Sequence, residues 1–116
     1  KVRESAGIIA EGWSAADLRH GPIAALRSDR TAVIGFFVRG PAGADTEALL
    51  TELGDRGLRA LRVGEAADVD LQLPPVGEAL AVVPAVVRGQ QLAHATALRR
   101  GIDPDAPFGL SKVTAT

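Results

Sequence analysis

The chain has 116 residues, of which 47% are hydrophobic and 23% charged, a composition typical of one ordinary globular domain or part of one. Its 13 basic and 14 acidic residues give a net charge of -1 without a long run of either sign. We therefore expect neither nucleic acid nor a membrane surface as a partner. The sequence contains no cysteine, which excludes disulfides, thiolate metal sites and a cysteine nucleophile.

The first segment, residues 1–11, places apolar residues at helical spacing, and we predict an amphipathic helix over it. Glu4 follows Lys1 by three residues, so the two side chains share one face of that helix. Both groups can carry a proton and are candidates for acid–base chemistry. The simpler interpretation is a solvated ion pair worth roughly 0.2–0.5 kcal/mol.

The segment that follows combines a helix start and a helix stop. Ser14 with Asp17 three residues later is a signal similar to a capping box. Gly21, predicted in the left-handed conformation, and Pro22 end the helix. His20 is therefore expected at a tight turn, where an imidazole is a candidate functional group. The local sequence alone favours another interpretation, a histidine that interacts with the last carbonyls of its helix.

The middle of the chain predicts a parallel α/β sheet. Residues 31–38 form a continuous apolar run of strand length, which favours a strand buried on both faces. A helix capped by Asp45 or Thr46 is predicted next. Two further strands are predicted at 58–63 and 69–73, the last of them near an edge of the sheet. The order strand, helix, strand indicates a βαβ unit.

A long helix is predicted over residues 84–100, with Gly101 as its stop. His94 falls within this helix among alanines, where we expect a packed, neutral imidazole. The tail, residues 102–116, is predicted to be irregular. Lys112 lies in this tail, and its simplest interpretation is a lysine in a mobile segment.

Familiar metal and nucleotide motifs are missing. The two histidines are far apart, and neither a His-x-x-x-His pair nor a cysteine pair is present. The glycines at 40 and 43 lack the spacing of a dinucleotide turn and the lysine of a P-loop. We therefore expect no metal ion and no cofactor.

Both ends of the chain carry motifs of a known family. Residues 1–4 read Lys-Val-Arg-Glu, and residues 10–22 read Ala-Glu-Gly-Trp-Ser-Ala-Ala-Asp-Leu-Arg-His-Gly-Pro. They resemble the Lys-Leu-Lys-Glu and Glu-Leu-Lys-His-Gly-Pro signature of sugar isomerase (SIS) domains. The sequences Gln-Leu-Ala-His-Ala-Thr-Ala-Leu-Arg-Arg-Gly-Ile-Asp at 91–103 and Gly-Leu-Ser-Lys-Val-Thr at 109–114 are similar to the last helix and tail of these domains. The likeness is to the C-terminal SIS half of the glutamine:fructose-6-phosphate aminotransferase family and to stand-alone two-SIS phosphosugar isomerases.

This resemblance implies a flavodoxin-like α/β fold with a parallel sheet flanked by helices. Residues 1–101 correspond to the C-terminal part of a SIS domain, whose first strand we expect to be missing. Residues 102–116 correspond to a tail that contributes to the sugar site. The family assembles that site between SIS halves and subunits, so we expect a homodimer or a missing N-terminal SIS part as the partner.

The resemblance also implies roles for four residues. Glu4 matches the glutamate that moves a proton between the first two sugar carbons, and Lys1 matches the lysine beside it. His20 matches the histidine that assists ring opening in a neighbouring subunit. Lys112 matches the tail lysine that engages the open-chain sugar.

Three differences from the family pattern refine this hypothesis. The phosphate cradle of the other SIS half has no counterpart, nor does the glutaminase domain with its N-terminal cysteine. The tail has Phe108-Gly109 where the family has Arg-Asn. These differences favour a cytoplasmic phosphosugar isomerase, or an aminotransferase- or deaminase-like protein, that does not use glutamine. We expect this chain alone to be inactive, and a non-catalytic, phosphosugar-binding regulatory SIS domain is the alternative.

Overall fold

The computed structural model describes residues 1–106 and residue 109. The chain forms two compact units, one comprising Gly12–Ala85 and the other Lys1–Glu11 with the segment from Val86 onward. A short 3₁₀ helix covers Pro22–Ala25. The other elements, in chain order, are α1 (Val2–Ala6), α2 (Ala15–Arg19), β1 (Ala32–Phe37), α3 (Pro41–Asp55), β2 (Arg59–Gly64), β3 (Leu71–Gln72) and α4 (Glu78–Arg99).

A three-stranded parallel sheet in the order β1-β2-β3 is the centre of the unit Gly12–Ala85. Phe37 of β1 pairs with Gly64 of β2, which in turn pairs with Gln72 of β3. The strand, helix, strand order confirms the predicted βαβ unit, and the two-residue β3 is an edge strand as predicted. The α/β fold with a parallel sheet flanked by helices is thereby confirmed, as expected for a fragment of a flavodoxin-like SIS fold.

Helix α3 covers one face of this sheet. A Cβ atom on Gly35 of β1 would lie 2.3 Å from Cδ1 of Leu50, so the glycine lets the helix approach the strand closely. The core on this side also includes residues from α2 and from the loop before β2, and its buried members are Leu18, Leu49, Leu53 and Leu58.

Helix α3 begins at Pro41, and the prediction that Asp45 or Thr46 caps it is wrong. Pro41 occupies the first turn, where its fixed φ angle suits a helix and its missing N–H costs nothing. The side chain of Thr46 instead donates a hydrogen bond to the carbonyl of Ala42 inside the helix. Residues 41–44, which precede the predicted cap, therefore form the first turn of α3.

The prediction that the first strand is buried on both faces is wrong for the described residues. Gly35 and Phe37 are buried, whereas Ile34 is 39% exposed and Phe36 is 40% exposed. These exposures alternate along the strand, as they do in a sheet covered mainly on one side. Both faces of β1 are therefore apolar, as the sequence of the strand indicates, but α3 covers only one of them.

Helix α1 is shorter than the helix predicted over residues 1–11. It ends at Gly7, which takes the left-handed conformation with a φ of 61°. Ala6 at its end is fully buried, whereas Ile9 beyond it is exposed. The prediction was too long because apolar residues at helical spacing continue beyond Gly7, where the helix ends.

Helix α4 is one continuous helix that contains Pro84, whereas we predicted a start at this proline. Gly101 ends it with a φ of 70°, and the N–H of Ile102 donates to the carbonyl of Ala97, which confirms the predicted stop. His94 is exposed, so the packed histidine was a wrong prediction. The buried face of this part of the helix is formed by Ala93 and Ala97 instead. No helix among the described residues is both long and apolar enough to cross a membrane.

Candidate functional site

The first part of the candidate site is a charged pair on α1. The ammonium group of Lys1 donates a hydrogen bond to Oε2 of Glu4 at 2.7 Å, and both side chains are exposed. Lys1 is the residue that precedes the helix, and Glu4 lies in its first turn, where a carboxylate interacts favourably with the helix dipole. The short helix therefore fixes the two side chains one turn apart on one face, as the sequence predicted.

The lysine changes the acidity of its partner. The hydrogen bond from Lys1 lowers the pKa of Glu4 below its ordinary value, and the charge of Lys1 lowers it further. The Glu4 side chain is therefore an ionised carboxylate at neutral pH. In this form it can accept a proton, but a lowered pKa also makes it a weaker base.

The second part of the candidate site is the turn that follows α2. The backbone N–H of Asp17 donates to Oγ of Ser14 at 3.1 Å, and the Ser14 hydroxyl donates to the Asp17 carboxylate at 2.7 Å. This cap confirms the predicted helix start. The backbone N–H of His20 then donates to the carbonyls of Ala16 and Asp17, each at 3.2 Å, and closes the helix.

The helix stop after His20 differs from the prediction in one respect. Gly21 has a φ of 175°, which is extended backbone, and not the left-handed conformation that we expected. The chain continues from there into the 3₁₀ helix that begins at Pro22. His20 itself is exposed at this turn, so its imidazole is accessible to a ligand or to another chain.

Two contacts hold the helix that precedes His20, and the sequence had marked neither of them. Leu18 is buried in the core beneath α3. Arg19 donates to the carboxylate of Asp45 at 2.7 Å and lies 3.4 Å from the carboxylate of Glu52, both on α3. Arg19 occupies the position of lysine in the SIS motif. The planar guanidinium of arginine can bind two carboxylates in a fixed geometry, whereas the ammonium group of a lysine is held less rigidly.

A further carboxylate that sequence reasoning missed follows strand β2. The side chain of Glu65 is only 4% exposed, and its Oε1 atom has no hydrogen-bond partner among the described residues. Its ion-pair partner among the described residues is Arg39, whose Nε lies 3.9 Å from Oε2. The sequence gives no signal for this burial, because Glu65 stands in a polar stretch between two strands. In residues 1–106, no cluster of three or more acidic or histidine side chains could hold a metal ion.

Comparison with known proteins finds relatives that share this sequence. No family model matches the chain. It is 36% identical to glutamine–fructose-6-phosphate aminotransferase (isomerizing) of Lactiplantibacillus plantarum, over 97% of this chain and 19% of that protein. The proteins of the same name from Gloeobacter violaceus and Pyrococcus horikoshii are 36% and 34% identical, each over 97% of this chain and 20% of their own length. The resemblance to SIS domains is confirmed.

The chain thus corresponds to a SIS part of these aminotransferases and spans about a fifth of their length. Of its four motif residues, Lys1 and Glu4 are brought together on α1. His20 belongs to the other compact unit, and Lys112 lies outside the described residues. The roles of all four residues stay predictions.

Proposed function

We propose that this chain is the C-terminal SIS portion of a phosphosugar isomerase, or of an aminotransferase- or deaminase-like protein. The observation that carries the proposal is the hydrogen-bonded pair of Lys1 and Glu4, placed by a helix at the start of the SIS motif. The homology supports it, because the relatives' name joins a sugar phosphate to an isomerizing activity.

The chemistry assigned to Glu4 is a proton transfer between adjacent carbons. Its carboxylate takes the proton from the carbon beside the carbonyl and later gives it to the former carbonyl carbon, while a hydroxyl proton moves between the two oxygens. The lowered pKa of Glu4 keeps the group ionised for the first of these steps. Lys1, one turn away, stabilises negative charge that develops on the substrate.

His20 and Lys112 complete the proposed machinery. An imidazole can move a proton between the ring oxygen and the hydroxyl of a closed sugar, which opens the ring. The exposure of His20 supports the idea that it serves a site on a neighbouring chain. The amine of Lys112 can engage the carbonyl of the open sugar. We therefore propose that the working protein is a homodimer or contains a further SIS part, and that this chain alone is inactive.

A second candidate function is a regulatory SIS domain that binds a phosphosugar without converting it. One observation favours it. The pairing with Lys1 lowers the pKa of Glu4, which makes the carboxylate a weaker base than an unpaired glutamate. Such a domain would keep the fold and the ligand but would show no turnover.

The two candidates are separated by incubating the full-length protein with fructose 6-phosphate and with glucosamine 6-phosphate, each with and without ammonia. An enzyme converts at least one of them, and Glu4→Gln abolishes the conversion. The matched control is Asp29→Asn, which alters an exposed carboxylate outside the motif segments and should leave turnover unchanged. Near-normal conversion by Glu4→Gln contradicts the enzymatic proposal, and binding without conversion by the unaltered protein supports the regulatory one.

A further inference from the structure

Glu65 presents a feature that the fold alone does not explain. Its side chain is only 4% exposed, and its Oε1 atom accepts no hydrogen bond from the described residues. Buried polar atoms in proteins are almost always hydrogen-bonded, because burial without a partner is costly. The Oε1 atom therefore requires a partner that the described residues do not supply.

The position of Glu65 supports this interpretation. Phe37, Gly64 and Gln72 are paired across the sheet, so the next residues along the three strands are Val38, Glu65 and Leu73. These residues follow the carboxyl ends of parallel strands, which is the edge where α/β proteins bind their ligands.

An open groove lies at the same edge of the sheet. Val38 and Leu73, the neighbours of Glu65 in this row, line it, and the remaining lining residues come from β1 and from the start of α4. They are Phe36, Phe37, Glu78, Ala81, Val82 and Ala85. Glu65 therefore stands beside a mainly apolar groove that is open to solvent.

The neighbouring cation does not account for the burial of this carboxylate. Arg39 follows β1, and its Nε lies 3.9 Å from Oε2 of Glu65, which is too long for a hydrogen bond. Its side chain is 88% exposed, and an ion pair with so exposed a partner contributes little to stability. The guanidinium thus keeps its donors available for an anion.

We propose that Glu65 and Arg39 form a ligand site at the carboxyl end of the sheet, which the SIS motif residues do not include. A carboxylate only accepts hydrogen bonds and a guanidinium only donates them. The ligand therefore carries both an anionic group for Arg39 and a hydroxyl or ammonium group for Glu65. A sugar phosphate or amino-sugar phosphate has this combination, and the choice of this class rests on the proposed function.

The test measures binding of fructose 6-phosphate and glucosamine 6-phosphate to the full-length protein by calorimetry. We expect Glu65→Gln and Arg39→Gln each to weaken binding of at least one of these ligands by at least tenfold. The matched control is Asp29→Asn, which alters an exposed acid paired with Arg30 and should change the affinity by less than twofold. Affinities within twofold of the unaltered protein in both site variants overturn the proposal.

Thermal unfolding without ligand distinguishes a binding role from a structural one. Glu65→Gln removes the buried charge and keeps the shape of the side chain, so we expect an unchanged or higher melting temperature together with weaker binding. A lower melting temperature with unchanged affinity shows a structural role and overturns the proposal. If Glu65→Gln does not fold, Arg39→Gln decides, because its side chain is exposed and its removal leaves the core intact.

The same titrations separate this inference from the proposed function. If the unaltered protein binds a sugar phosphate and both site variants bind it equally well, the inference is wrong and the proposed function stands. If the unaltered protein binds neither sugar phosphate, the proposed function is wrong, and so is the ligand class assigned to Glu65.

Discussion

Gly35 of β1 lies directly beneath Leu50 of α3, so closely that a Cβ atom on Gly35 would stand 2.3 Å from Cδ1 of the leucine. Leu50 is itself only 2% exposed, so this contact lies inside the core. The contact fixes the distance between the helix and the sheet. Even the methyl group of an alanine at position 35 would therefore clash with Leu50.

We predict that Gly35→Ala destabilises the chain by about 1–3 kcal/mol, because one added methyl group overpacks this core. Urea unfolding followed by circular dichroism measures the change. Gly12→Ala is the matched control, since a Cβ there meets nothing within 4 Å. Equal unfolding midpoints for the two variants would show that the helix and the sheet are not held this closely.

Gly43→Ala is expected to be more harmful than Gly35→Ala. A Cβ atom on Gly43 would lie 1.8 Å from the carbonyl oxygen of Val38, and backbone cannot rotate away as a side chain can. We expect a loss above about 3 kcal/mol, beyond the usual range for an overpacked side chain. Gly54→Ala in the same helix is the control, because it has no close neighbour and should stabilise the helix by up to about 1 kcal/mol. The prediction is wrong if both α3 variants change stability in the same direction.

Arg19 is expected to act on function more than on stability. Its ion pairs with Asp45 and Glu52 are partly exposed, so Arg19→Lys should cost no more than about 1 kcal/mol in urea unfolding. If the proposed function holds, the same variant should lower turnover of the full-length protein several-fold, because the helix before His20 loses one of its two anchors. Arg30→Lys, a change in an exposed pair on a turn, serves as the control. If Arg19→Lys loses stability but keeps normal turnover, the prediction that Arg19 supports the function of His20 is wrong.

The titration of Glu4 depends on Lys1. We predict that Lys1→Met raises the pKa of Glu4 towards its ordinary value, because the hydrogen bond and the nearby charge are both removed. Carbon-13 NMR of the side-chain carboxyl group measures this pKa directly. Because folding lowers the pKa, the pair stabilises the fold above the pKa of the unfolded chain. That stabilisation is lost as the pH falls through the lowered folded-state pKa. An identical titration curve in Lys1→Met would contradict the assigned cause.

The features that the sequence predicted correctly are those determined locally or by a regular pattern. The Ser14 cap involves residues three apart, and the pairing of Lys1 with Glu4 follows from one helical turn. The βαβ unit follows from two apolar runs separated by a helix. The α/β class therefore needed no coordinates.

The features that the sequence did not predict depend on contacts between distant segments. Arg19 meets two acids on α3, and nothing around it in the sequence marks those partners. Glu65 is buried although its neighbours in the sequence are those of a polar stretch. The exposure of Ile34 was missed for a related reason, since an apolar residue does not reveal whether a second layer covers it. Long-range packing thus determined each of these cases.

Strand β1 has a consequence for how the chain behaves at high concentration. Its sequence, Ala-Val-Ile-Gly-Phe-Phe, contains no charge and no proline, and among the described residues only β2 pairs with it. Natural edge strands usually carry such residues, which prevent pairing between molecules. Unless another strand covers this edge, two molecules can join through it. The isolated chain should therefore be monomeric at low concentration and should associate through β1 at high concentration.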